Sequence, residues 1–334
     1  MKFDSLQDKI VVITGASSGI GKLTAEKFLK LGAKVVLAAR SIEEMRHHLK
    51  VGEEQALAVE TDVSDHSQVA ALSQLAIAHF GGLDIWINNA GISVYGRFEE
   101  ITPDEMSRLL DVDLKGSMYG SYEAIRIFKA QGHGSLINVS SVLGKAAVPL
   151  QSAYVAAKHG IVGFSESLRE ELIHDGQSDR ISVSLVLPSS MDTPLFRHAR
   201  SKEGLQPYPL PPVYDPKLTA DAIIGCAMNP VPEVTPGGAG RFFIQISRFL
   251  PGLAEQYMAK TAVRQQLLEL PKPEVGDDNL YAPMPGTQDV RGGIGTTGEH
   301  LRESITRHPI RISLSLAIPT LLLALFLRQR KRLA

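Results

Sequence analysis

Uniformly apolar runs alternate, over the first two thirds of the chain, with stretches whose apolar positions recur every three to four residues. KIVVITGA, residues 9–16, is apolar and closes on glycine, which predicts a buried strand. GKLTAEKFLKLGA has helical spacing and a glycine stop. KVVLAAR predicts a second strand, and SIEEMRHHLK a second helix with Ser41 as N-cap. A third strand is expected in QALAVETDVSD, a third helix in HSQVAALSQLAIAHFGG and a fourth strand in LDIWINNAG. TPDEMSRLLDVDLKGSMYGSYEAIRIFKAQG predicts one long helix, with Thr102 as cap and Pro103 at its first position. GSLINVSS and ISVSLVLPSS are the fifth and sixth strands, and a short seventh is expected near EVTPGG. Apolar strands alternating with helices imply an α/β fold whose parallel sheet is covered on both faces.

The texture changes from about residue 197. LQPYPLPPVYDP is proline-rich, a helix is expected from Lys217 to Met228, and another from Pro251 to Leu270. Residues 271–300 are rich in proline and glycine and read as a surface wrap or linker. The expected organisation is one catalytic domain over 1–270, a linker over 271–308 and an apolar, basic-ended segment over 309–334.

Composition narrows the function classes. Of 334 residues, 44% are apolar and the net charge is −1, so no basic field invites nucleic acid. The one cysteine, Cys226, cannot form an internal disulfide, suits a reducing compartment and reads as a small core residue. No apolar export segment opens the chain. At the other end, ISLSLAIPTLLLALFL, Ile312 to Leu327, is uncharged and is followed by RQRKR. Its 16 residues make about 24 Å of helix, short of the roughly 20 residues a bilayer needs. Pro309 and Ile310, with Arg311 snorkelling, extend it toward a transmembrane helix. The basic end opposes crossing, so a shallow interfacial helix is the competing expectation, and a packed helix a third.

TGASSGIGK, Thr14 to Lys22, sits between the first strand and the first helix. Glycines there permit a tight turn and close approach of a pyrophosphate, and the N–H groups at the helix start favour an anion. The spacing is Gly15-x-x-x-Gly19-x-Gly21, with Ser17, Ser18 and Ile20 between. In a βαβ unit this points to a Rossmann-like, doubly wound dinucleotide-binding sheet. An acidic residue ending the second strand would hold the ribose of NAD; the chain has Ala38-Ala39-Arg40 instead. A guanidinium suits a 2′-phosphate, so NADP(H) is expected.

Tyr154 and Lys158, in SAYVAAKHG, are four apart and share a helix face. A phenol titrates near pH 10 and needs help to move protons at neutral pH; a nearby cation supplies it by favouring the phenolate. The phosphate loop, NNAG at 88–91, SS at 140–141 and Tyr154-x-x-x-Lys158 occur in that order. Together they make the chain resemble the short-chain dehydrogenase/reductase family over about residues 6–240. The resemblance implies an oxidoreductase in which Tyr154 exchanges a proton with the substrate oxygen. Lys158 would also hold the nicotinamide ribose, and Ser141, 13 residues before Tyr154, would hydrogen-bond the reacting oxygen. It further implies that Asn89 lines the cofactor site, that Asp62 in TDVSD meets adenine and that Thr193 binds the nicotinamide carboxamide. Asn88 and Ser140 are equally readable as sheet-end residues.

Two positions depart from the family pattern. Asp113, in LLDVDLKG, stands where an asparagine usually supports a proton relay, and its charge would raise the Tyr154 pKa. Ser189, in LPSSMDTP, stands where glycine is frequent. Met191, Leu195, Phe196, Leu205, Tyr208 and Leu210 form an apolar segment after the sixth strand, which argues for a small lipophilic carbonyl or alcohol. The expected protein is therefore a membrane-associated NADP(H)-dependent oxidoreductase with a cytoplasmic catalytic domain, a homo-oligomer being left open. Two competing readings are a membrane-bound NADP-binding protein with little turnover, suggested by Asp113, and an epimerase or dehydratase of the related longer-chain branch.

Overall fold

β1 (Ile10–Thr14) is buried along its whole length, and its side chains alternate between two cores. Val12 joins Val36, Trp86 and Leu136 on one face, while Val11 and Ile13 join Val35, Ile87 and Ile137 on the other. A strand with no solvent-facing side is the reason the sequence reads as an unbroken apolar run. These relations come from a computed structural model that describes residues 2–42, 52, 54–273, 276–284 and 289–299. The helix expected after Ser41 and the apolar stretch Ile312–Leu327 lie outside the described residues.

The elements follow in the expected order: α1 (Gly19–Lys30), β2 (Lys34–Ala39), β3 (Ala56–Glu60), α2 (His66–Phe80) and β4 (Ile85–Asn88). A short β5 (Val94–Tyr95) precedes α3 (Pro103–Leu110), α4 (Gly116–Gln131), β6 (Gly134–Val139), α5 (Ser152–His174) and β7 (Ile181–Val186). Next come α6 (Leu195–His198), β8 (Arg200–Ser201), β9 (Leu205–Pro207), α7 (Lys217–Met228) and β10 (Glu233–Val234). α8 (Gly238–Phe249), α9 (Pro251–Gln265) and β11 (Leu267–Pro271) complete the described elements.

Among the described residues seven strands form one sheet in the order β10-β7-β6-β4-β1-β2-β3, and every pairing in it is parallel. The order reverses at β1 and β4, and the crevice beyond their carboxyl ends is where such sheets bind ligands. Helices α2, α4 and α5 cover one face through Leu72, Phe128 and Ala157; α1 and α7 cover the other through Phe28, Ile223 and the buried, free Cys226.

Three elements differ from expectation. The long helix starts as read, with Thr102 and Glu105 in a capping box, but a π-helical turn at Asp111–Lys115 divides it. The extra residue in such a turn re-aims the side chains around it, here Asp113. The helix expected to reach Leu270 ends at Gln265. Buried Gln266 stops it: its amide donates to Pro149 O at 3.1 Å, its side-chain oxygen accepts from Gln151, and β11 then pairs antiparallel with β9. Finally, α8 was not foreseen, because Gly237, Gly238 and Gly240 dilute its helical signal. Gly240 is needed for close packing, since a Cβ there would collide with Ser189 Oγ. Ser189, the second departure, is thus the seat of α8, with its hydroxyl on Gly237 O at 3.1 Å.

Candidate active site

The loop after β1 is built by close backbone approach. Gly15 has φ 66°, and a Cβ on it would come within 2.7 Å of Ala90 Cα. Gly21 faces inward, where a Cβ would collide with the Gly15 carbonyl oxygen and the Asn89 amide. The N-cap Ser18 makes no side-chain cap bond and the first turn of α1 holds no acid, which favours an anion at this helix start, while its first amide, Gly19 N, donates to the main-chain carbonyl of Asp289 at 2.9 Å. Gly15, Ser17, Ser18, Gly19 and Ile20 line a cavity of about 740 Å³; Gly21 supports it from behind.

Asn89 lines the cavity and braces the loop: its amide donates to Thr14 O (3.0 Å) and Gly15 O (3.2 Å). Asn88 instead points into the fold, bonded to Ser117 O, Ser121 Oγ and Asn138 Oδ1. Arg40 reaches the cavity from the end of β2. Its Nη2 donates to Asn279 O at 2.7 Å, while Nη1 is buried without a hydrogen-bond partner. Burial and then Arg108 hold its pKa below the usual arginine value. Asp62 lines the same end, and Arg108 Nη2 (2.7 Å) and the Ser64 hydroxyl (2.7 Å) engage its carboxylate. Arg108 was missed by the sequence reading; a lone arginine within a helix carries no motif.

At the other end of the cavity α5 presents Tyr154 and Lys158, and the turn after β6 presents Ser141; all three are buried. Ser140 points away, its hydroxyl donating to Lys158 O at 2.9 Å, so it ties the β6 turn to α5. Lys158 Nζ lies 5.2 Å from the Tyr154 ring centroid and 3.1 Å from Asp113 Oδ2. Asp113 is fully buried, and its Oδ1 accepts from Ile92 N at 2.8 Å. Its Oδ2 is paired in charge with Lys158 but has no hydrogen bond aligned on it.

Burial pushes the Tyr154 phenol above its ordinary pKa; Lys158 opposes this, the Asp113 charge adds to it, and a hydrogen bond from Ser141 lowers it. Burial also disfavours the Lys158 ammonium, but Asp113 and Tyr154 outweigh it and hold that pKa above the usual lysine value. For Asp113 burial wins, and the carboxyl titrates above the ordinary range despite Lys158 and the Ile92 amide. The expected influence of Asp113 on Tyr154 is present, and a second role appears beside it, as counter-ion of Lys158. A protonated phenol beside a hydroxyl and an ammonium held by Asp113 can give a proton to an oxygen and recover it.

Thr193 lines the cavity with its Cβ region 3.5 Å from the position a Gly19 Cβ would take. Met191, Leu195, Phe196 and Leu210 also line it, joined by Phe242, Leu253 and Tyr257 of the helices α8 and α9. Leu205 and Tyr208 lie elsewhere, in and beside β9. Among the described residues no cluster of His, Cys, Asp or Glu suits a metal, and no helix is long and apolar enough to cross a membrane.

The family profile described as short chain dehydrogenase matches residues 9–204. An uncharacterised oxidoreductase of Bacillus subtilis, YxnA, is 34% identical over 294 residues, covering 86% of this chain and 82% of that protein. A second uncharacterised oxidoreductase, from Staphylococcus saprophyticus, is 32% identical and covers 73% of this chain and 98% of its own. The crystal structure of a short-chain dehydrogenase from Streptomyces avermitilis superposes with a TM-score of 0.65 at 26% identity, over 77% of this chain and 98% of that one. A short-chain dehydrogenase/reductase from Burkholderia phymatum, in complex with NAD, gives 0.64 over 75% of this chain and 96% of that one; at 24% identity the likeness is one of fold.

Proposed function

Because the chain belongs to the short-chain dehydrogenase/reductase family, and so is an oxidoreductase served by a nicotinamide dinucleotide, we propose that it interconverts a lipophilic carbonyl and its alcohol with NADP(H). The observation that carries this reading is the buried cluster of Ser141, Tyr154, Lys158 and Asp113 at one end of a cavity whose other end is the glycine loop and Arg40. The residues present fit the cofactor: the glycine cradle admits a pyrophosphate, and the unpaired, buried Arg40 Nη1 suits a 2′-phosphate.

When bound, the nicotinamide supplies or accepts a hydride at the substrate carbon. In the reductive direction Tyr154 Oη gives its proton to the carbonyl oxygen, so that C=O becomes CH–OH, and in the oxidative direction it takes that proton back. Ser141 hydrogen-bonds the same oxygen and stabilises the charge developing on it. Lys158 keeps a positive charge beside the phenolate left on Tyr154. Asp113 keeps Lys158 charged and in position. Met191, Phe196, Phe242 and Leu253 offer an apolar wall, which supports a lipophilic substrate over a sugar phosphate or a charged acid.

Assays of lipophilic ketones and alcohols with both nucleotides test this reading. The wild type is expected to prefer NADP(H), and Arg40→Ala to remove most of that preference. A charge-assisted contact is worth roughly 1.5–3 kcal/mol, on the order of 10- to 100-fold in affinity. Equal use of NAD(H) and NADP(H) by the wild type would remove Arg40 from that role, and turnover of charged substrates alone would overturn the lipophilic one.

The proposal extends to the end of the chain, where Ile312–Leu327 and the basic residues after it are read as a membrane anchor behind the linker. Fractionation of cells expressing the full chain and a chain ending at Glu299 tests it. The full chain is expected with the membranes and the shorter one in the supernatant; both in the supernatant would leave no anchor.

A further inference from the structure

Residues 276–284 and 289–299, read from sequence as part of a linker, touch the wall of the cavity at several points, among them Asn279 N on His198 O at 2.9 Å. At the adenosine end, Arg40 Nη2 donates to Asn279 O (2.7 Å) and Arg108 Nε to Leu280 O (3.1 Å). Leu280 is fully buried in the same core as Val63 and Leu109. At the phosphate loop, Gly19 N donates to Asp289 O at 2.9 Å. At the nicotinamide end, the Asp192 carboxylate accepts from Ile294 N (3.0 Å) and Gly295 N (3.2 Å). There Gly292 lies so close to Thr193 that a Cβ on it would collide with the Thr193 carbonyl oxygen.

These anchors follow the order Arg40, Gly19, Thr193, which is the order in which the adenosine, pyrophosphate and nicotinamide would lie in the proposed binding mode. A solvated linker has no reason to bury a leucine or to commit its backbone groups to residues of one cavity. Two polar groups there remain without partners, one from each wall: Arg40 Nη1 and Asn279 Oδ1, both buried, on residues that line the cavity. An anion between them would accept a hydrogen bond from the guanidinium Nη1, and a half-turn of the Asn279 amide would present N–H donors to it. The strap therefore holds one edge of Arg40 and leaves the other for a ligand.

We propose that residues 277–282 and 289–295 form a strap that closes over the bound dinucleotide, with Asn279 as a further cofactor-binding residue and the strap's hold on the cavity wall slowing cofactor release. The inference rests on a dinucleotide occupying this cavity but not on its being NADP rather than NAD. Opening such a strap is a requirement for exchange, so loosening it acts on dissociation more than on association.

Hydrogen exchange of the full chain with and without NADPH or NADH, and stopped-flow dissociation from the wild type and Gly292→Ala, test it. Both nucleotides are expected to protect peptides covering 276–284 and 289–299. Gly292→Ala is expected to raise both dissociation rates by on the order of tenfold, with association within about twofold. Arg40→Ala removes a strap anchor together with the guanidinium, so it should raise both rates and that of NADPH the more, whereas Gly292→Ala should raise the two alike, which separates the strap from the choice of nucleotide. Asp192→Ala, which removes the two carboxylate oxygens that accept from Ile294 N and Gly295 N, is a second way to loosen the same end should Gly292→Ala not fold. Unchanged exchange together with unchanged dissociation would reduce the strap to a structural wrap. Slower dissociation in the variants, or loss of protection on adding nucleotide, would show that the strap competes with the cofactor, and would overturn the proposal.

Discussion

Tyr154→Phe is expected to lower kcat by about 10²- to 10⁴-fold, the range of a lost general acid, while the Kd for the nicotinamide nucleotide stays within about twofold. The variant keeps the ring that packs beside Lys158 and removes only the oxygen proposed to exchange the proton. Nucleotide fluorescence titration beside a turnover assay separates the two effects. The wild-type pH profile carries a second mark of the same residue. The folded phenol titrates above its ordinary value, chiefly through burial, so the acid form needed for carbonyl reduction persists across neutral pH. Reduction should be flat between about pH 6 and 8, and alcohol oxidation, which needs the base form, should climb through that window. Substantial turnover by the phenylalanine variant would take the proton transfer away from Tyr154.

The second large effect is expected at Asp113, and it is mainly one of stability. Asp113 and Lys158 form a buried pair 3.1 Å apart, with 0% and 5% of their side chains exposed. Asp113→Ala leaves the lysine charge buried without its partner, an arrangement that costs about 3–5 kcal/mol, or on the order of 10 °C in Tm for a chain of this size. It also removes an acceptor from Ile92 N. With Asp113 gone, burial governs Lys158 and draws its pKa down. Asp113→Asn keeps the acceptor for Ile92 and removes the charge that raises Tyr154. That variant is expected to fold with a smaller loss, to keep or raise reduction near neutral pH, and to move the oxidative limb to lower pH. Thermal unfolding and pH–rate profiles of the two variants check both halves. A stable alanine variant would mean that Lys158 is buried neutral, and a folded but inactive asparagine variant would give Asp113 a part in the chemistry itself.

The amino-acid order alone determined the sheet and marked the loop and side chains that the fold gathers around one cavity. Buried parallel strands need apolar side chains on both faces, so each appears as a run that local patterning detects. The glycine loop is legible because a φ of 66° at Gly15 favours glycine, and the approach of Ala90 to Gly15 and of the Gly15 carbonyl to Gly21 leaves no room for a Cβ. Tyr154 and Lys158 are legible because one turn of helix fixes their relation, and Ser141 because the family's spacing singles it out. What the order could not carry is contact between distant segments. The role of Asp113 as partner to Lys158 depends on a π turn, and such a turn has no residue signature. Arg108 reaches Asp62 and Leu280 across 46 and 172 positions of chain. The strap is held through main-chain carbonyls at Asn279, Leu280 and Asp289. Any side chain can supply a carbonyl, so no composition marks these anchors. Residues 276–284 and 289–299 look like linker because local patterning reports periodicity, whereas their place against the cavity wall was decided by tertiary hydrogen bonds and one buried leucine.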